Sequence, residues 1–114
     1  MTAEAPAETM TYVADLESMI TVVADSTVSR TALKAQGVRV VLFAFDAGQE
    51  LTEHTAAIPV LLQVVSGRVR VGAAGDLVDL ESGSLIHLTA RLPHTVLALE
   101  PSKLQLTMLD QRST

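Results

Sequence analysis

From Asp25 onward the chain is a succession of short apolar and β-branched runs, broken at Gly37, Gly48, Pro59, Gly67, Gly72 to Gly75, Gly83, Pro93 and Pro101. Runs of strand length between turn residues predict strands, and their regular recurrence predicts an all-β domain. The runs differ in what has to cover them. Arg68-Val69-Arg70-Val71 alternates strictly, so one face of that strand meets water. Val38 to Phe45 reads as apolar on both faces, whereas two sheets packed face to face hide only one side of each strand. Its second face therefore needs the N-terminal segment or another subunit, and a homodimer is expected. The stretch from Gly67 to Leu80 predicts a hairpin turning at Gly72-Ala73-Ala74-Gly75, where glycine takes positive φ at little cost. Such a hairpin brings Arg68 and Arg70 near Asp76 and Asp79, as ion pairs on a solvated face with little energetic weight.

Ahead of the strands the pattern is different. Residues 1 to 10 are rich in Ala, Pro, Glu and Thr and have no apolar period, which describes a mobile arm. Tyr12, Leu16, Met19 and Ile20 then recur at helical spacing, with Asp15 and Glu17 off that stripe. A short amphipathic helix against the strands or a partner is predicted there. The organisation expected is an acidic N-terminal arm with a short helix over residues 1–24 and one β domain over residues 25–114.

Composition narrows the function classes. A chain of 114 residues with 48% hydrophobic and 18% charged residues has enough apolar surface for one packed core and no room for a second. The net charge of −5 is uneven: Glu4, Glu8, Asp15, Glu17 and Asp25 precede the first basic residue, Arg30. The rest is near neutral. No basic face is available to neutralise phosphates, and Tyr12, Phe43 and Phe45 are too few for base stacking, so nucleic acid is not an expected partner. The absence of cysteine removes disulfides, thiolate metal sites and cysteine nucleophiles. No apolar run approaches the ~20 residues of a membrane span, and the acidic start is unlike a secretion signal. A soluble cytoplasmic protein with no membrane partner is expected.

The candidate chemistry lies with histidine. Gly48 is followed after five residues by His54, then by Ala56, Val60 and a closing Gly67; after fifteen intervening residues Gly83 leads to Thr89-Ala90-Arg91, His94 and Ala98. This spacing resembles the two motifs of the cupin family, in particular its small single-domain members. In the first family motif a His belongs at position 56 and a Glu at position 60. In the second, Pro-x-Gly belongs at 89–91 and Asn at 98. The resemblance implies a cupin jelly-roll β-barrel of two antiparallel sheets whose motif residues line a central cavity. Because side chains alternate along a strand, an inward His54 implies an inward Ala56, and Val60, Leu62 and Val64 share one inward row. The expected ligand pocket is thus His54, Ala56, Val60, Leu62 and His94, an apolar wall with two imidazoles.

A mononuclear metal in this family is usually held by three imidazoles and a carboxylate, and here only His54 and His94 remain as ligands. Two imidazoles without the carboxylate hold a dication poorly, so no cofactor is expected beyond weakly bound divalent Zn, Fe, Mn or Ni. Glu53 should face away from His54, Glu50 lies toward the loop, and Gln63 has the wrong parity unless a bulge follows Pro59. Ile86 and Leu88 hold the inward parity of their strand, which turns His87 outward.

Three function classes follow. The leading one is a non-catalytic barrel that binds a small, largely apolar molecule in its cavity, oriented by the two histidines. The second is an enzyme: a metal-dependent oxygenase, or a metal-free isomerase or lyase in which His54 or His94 moves a proton. Such a base needs a polar neighbour to set its tautomer and an anchor for the substrate, and only Arg91 stands near the expected mouth. The third is a regulatory or interaction module in which the barrel is a dimerisation unit and the acidic N-terminal arm or helix engages a partner. Fold alone does not choose among them.

Overall fold

The computed structural model describes residues 8–109; residues 1–7, most of the expected arm, and 110–114, the end of the expected β domain, lie outside the described residues. Among the described residues nine strands follow a single 3-10 turn at Glu17–Met19: β1 (Thr27–Ala35), β2 (Val38–Phe45), β3 (Glu50–His54), β4 (Val60–Ser66), β5 (Arg68–Ala73), β6 (Asp76–Glu81), β7 (Leu85–Leu88), β8 (His94–Ala98) and β9 (Ser102–Leu109). They form two antiparallel sheets, one ordered β1-β2-β9-β4-β7 and the other β3-β8-β5-β6. No helix among the described residues is long and apolar enough to cross a membrane.

The main core fills the space between the sheets. Phe45, Val60, Leu62, Val64, Leu88 and Leu104 meet Val69, Val71, Leu80, Val96 and Ala98 from the opposite sheet, and all are buried. The period of two places them: alternate residues of β4, β8 and β5 point inward, as alternation in a two-sheet fold demands.

The second apolar face of β2 is covered by the chain's own N-terminal segment. Ile20 packs with Leu42 and Ala44 on the outer side of the sheet, with Leu16, Met19, Val22 and Val28 around them. Basic side chains of the sheet secure this segment, since Arg30 donates to the Met19 carbonyl at 2.7 Å and Lys103 Nζ to the Glu17 carbonyl at 2.6 Å. The expected short helix is corrected here: one 3-10 turn forms, and Tyr12, 79% exposed, is not part of the packed stripe. Leu16 at the N-cap offers no side-chain bond to the turn, and Thr21, Val22 and Val23 behind it are β-branched, so nothing propagates a helix. At the far end of this segment Asp46 accepts hydrogen bonds from the backbone N–H of Asp25 at 2.7 Å and of Ala47 at 2.9 Å. Those two bonds hold its carboxyl below the usual carboxylate range.

The β5–β6 hairpin turns on two residues, Ala74 and Gly75, with φ of 54° and 80°. That is the primed geometry whose twist matches the strands. Gly72, expected in the turn, instead lies within β5, where an added Cβ would come 2.7 Å from Thr95 Oγ1. The ion pair forms between Arg70 and Asp79, Nε to Oδ1 at 2.8 Å and a second nitrogen to Oδ2 at 3.2 Å, while Arg68 is registered with Glu81. The guanidinium holds the Asp79 carboxyl low and the carboxylate in turn raises Arg70. Both side chains are over 40% exposed, so the pair adds little to stability.

Candidate functional site

His54 at the end of β3 and His94 at the start of β8 are direct cross-strand partners. A bulge in β3 makes that possible. Leu51 pairs with Val96 and His54 with His94, so Thr52 and Glu53 together oppose the single residue Thr95. The extra residue turns His54 to the same face as Leu51 although they are three apart, the re-aiming that bulges at barrel rims produce. The two rings meet edge to face, with centroids 4.2 Å apart at 60°. His94 is 3% exposed, whereas His54 sits at the open rim.

Each ring is fixed by the carbonyl two residues behind it. Nδ1 of His54 lies 2.9 Å from the Thr52 carbonyl oxygen, and Nδ1 of His94 lies 2.9 Å from that of Leu92. A carbonyl only accepts, so Nδ1 carries the proton in both rings and Nε2 is left as the nitrogen open to a ligand.

The pair forms one side of a cavity of about 250 Å³. Ala56 and Val60 line it, Val60 from the first residue of β4. Leu62 lies deeper in the core and does not reach its wall. The remaining wall comes from residues that sequence reasoning left out: Arg39, Val41 and Phe43 of β2, and Leu106 and Met108 of β9. The register explains the grouping. Arg39 pairs with Met108 and Met108 with Val60 in one row across the sheet, and Val41 pairs with Leu106 in the next row. The shared parity of Arg39, Val41, Phe43 and Phe45 was the available signal, because it sets the strand's one charge in the row that faces the barrel, at the exposed mouth of the cavity.

The mouth is braced by a tight turn before β8. Arg91 has a φ of 65°, and its N–H donates to the Ala56 carbonyl at 2.7 Å, joining the β3–β4 and β7–β8 connections. Arg91 stands where the cupin-like motif has glycine, which accounts for the left-handed backbone there. Its side chain is exposed and takes no part in the cavity wall; the arginine beside the histidines is Arg39.

As a metal centre the donor set does not fit. The inward positions beside the imidazoles hold Ala56 and Val60, and no three His, Cys, Asp or Glu side chains gather among the described residues. Glu53 faces a separate concavity of about 450 Å³ beside the β5–β6 turn, and His87 is exposed on the outer side of β7. Arg39 further adds a cation to the wall where a dication would need compensating anions.

No family model matches the chain, and no curated protein matches it in sequence. Solved structures do. A conserved protein of unknown function from Streptococcus pyogenes is similar at 23% identity and a TM-score of 0.78, over 90% of either chain. A cupin superfamily protein from Desulfitobacterium hafniense is similar at 18% identity and a TM-score of 0.78, over 94% of this chain and 98% of that one. A putative mannose-6-phosphate isomerase from Ralstonia eutropha is similar at 18% identity and a TM-score of 0.74, over 88% of this chain and 99% of that one. Likeness at this level of identity speaks for architecture and leaves the chemistry to the cavity: the chain folds as a small cupin-type barrel.

Proposed function

We propose that the barrel binds a small, largely apolar molecule in the cavity between its sheets, with His54 and His94 orienting it and no resident metal required. The observation that carries this reading is the wall itself. Val41, Phe43, Ala56, Val60, Leu106 and Met108 supply apolar surface, and two imidazoles with fixed tautomers supply the directional contacts. Ligand sites have this composition in general: apolar lining with a few placed polar groups. A cavity of about 250 Å³ lies below the roughly 300–1,000 Å³ of pockets for drug-sized molecules, so the occupant is small.

A screen of small apolar fragments by backbone amide NMR tests the reading. Shift changes confined to Val41, Phe43, Ala56, His94 and Leu106, and lost in His94→Ala, support it. Fragments that bind nowhere, or equally well after His94→Ala, count against it.

A second reading is favoured by the Nδ1 contacts to Thr52 and Leu92. Backbone carbonyls set the tautomer that leaves Nε2 basic, which is the preparation a metal-free isomerase or lyase needs. Proton exchange at an activated carbon of a bound fragment, measured in deuterium oxide with and without His94, separates binding from turnover.

A further inference from the structure

We infer that the cavity selects an anion, a small monocarboxylate with an apolar body, and that Arg39 is the residue that reads its charge. This deepens the pocket reading and rests on it. Arg39 lines the cavity with His54 and His94, and no acidic side chain among the described residues lines it. The guanidinium stands exposed at the cavity's rim with no carboxylate partner among the described residues; its side-chain contact is to Met108 Sδ at 3.6 Å, a weak acceptor. Its cross-strand neighbour on β1 is Lys34, so two cations stand directly opposite each other at this end of the sheet. Like charges in that relation destabilise a sheet, and an anion bound between the sheets offsets the cost.

The chemistry of the wall narrows the ligand class. A guanidinium presents a planar fork of N–H donors that matches a carboxylate in two parallel bonds. The body of the ligand then lies along Val41, Phe43 and Leu106, where a hydrocarbon chain or ring gains burial and a second charge would be stranded. An inorganic anion would use the arginine and waste the apolar wall. A neutral apolar molecule would leave the exposed guanidinium to water and gain nothing from it.

The test uses the full chain at low ionic strength, titrated calorimetrically with hexanoate and benzoate, with their neutral amides, and with acetate. The acids are expected to bind about tenfold or more tightly than hexanamide and benzamide, as a charge-assisted pair requires. Arg39→Gln, checked for an unchanged fold by its amide NMR spectrum, should bring that ratio to about one, and Arg39→Lys should retain part of it. Acids and amides binding alike in the native chain, or a preference that persists in Arg39→Gln, would overturn the charge selection and leave the apolar pocket standing. Acetate matching hexanoate would overturn the apolar-body half of the inference. Failure of every acid and amide to perturb the cavity residues would remove the pocket reading and this inference with it.

Discussion

His94 donates its Nδ1 proton to the carbonyl of Leu92, 2.9 Å away, and by that bond a buried imidazole is held edge-on to His54 across two strands. Removing the buried ring leaves a partly buried carbonyl without its donor and opens space in the barrel. His94→Ala should therefore cost about 1–3 kcal/mol in urea unfolding, the range for an orphaned buried polar group. His54 makes the same kind of contact at the exposed rim, where water replaces the lost donor, so His54→Ala should stay within about 0.5 kcal/mol. Equal costs at the two positions would mean that burial is not what distinguishes them.

Rebuilding the missing ligands checks the account of the metal site. Ala56 and Val60 both line the cavity, so Ala56→His with Val60→Glu places four potential ligands around one space. Val60 is 1% exposed, and a carboxylate there without a metal is a buried unpaired charge. The double variant should melt well below the native chain in chelator and recover with added Zn²⁺ or Ni²⁺. The native chain should show no comparable shift with either ion. A native melting temperature that rises as steeply with metal would contradict the reading of the donor set.

Much of the barrel was legible because glycines and prolines punctuate it and apolar residues alternate within β4, β5 and β8. That His54 and His94 face one cavity was an expectation drawn from the resemblance to the cupin motifs, and both residues line the same cavity. Arg39 was missed because one charge within Val38–Phe45 does not disturb the impression of a strand apolar on both sides; only its parity with Val41 and Phe43 reveals the direction. The β3 bulge at Thr52 and Glu53 carries no glycine or other local mark, so the cross-strand pairing of the histidines depended on tertiary structure. Near the N-terminus, helical spacing was real for Leu16, Met19 and Ile20, but packing onto Leu42 and Ala44 needs only those three side chains and not a helix.

The docking of that segment has a measurable cost when broken. Ile20 is 7% exposed and buried against Leu42 and Ala44, so Ile20→Ala should destabilise the fold by about 2–4 kcal/mol through lost burial and a cavity on the sheet's outer side. Tyr12→Ala should change stability by under about 0.5 kcal/mol, because its ring is mostly in water. Denaturant midpoints decide it: comparable losses at the two positions would restore a continuous packed face from Tyr12 to Ile20.

The hairpin turn should accept an improvement. Ala74 holds a φ of 54° in a two-residue turn followed by Gly75, a conformation that asparagine tolerates better than alanine. Ala74→Asn should raise stability by about 0.5–1 kcal/mol without altering the cavity, which the turn does not line. Thermal unfolding checks the direction, and a lower melting temperature would argue against the primed turn.

Acid stability should depend on Asp46. Its carboxylate accepts backbone hydrogen bonds from Asp25 and Ala47, and those bonds hold its folded pKa below the ordinary value. A depressed folded pKa means that the unfolded chain binds the proton more readily, so stability rises with pH through this window. The contribution of Asp46 is fully present above the unfolded aspartate value of about 3.9 and disappears as pH falls through the folded value. Asp79, also held low by Arg70, acts in the same direction. Denaturant midpoints measured from pH 7 down to pH 2.5 should fall more gently for Asp46→Asn than for the native chain. At neutral pH the variant should already be the less stable, because the asparagine NH2 cannot accept one of the two backbone bonds. Parallel pH profiles for the two proteins would show that the bonds at Asp25 and Ala47 do not stabilise the ionised form.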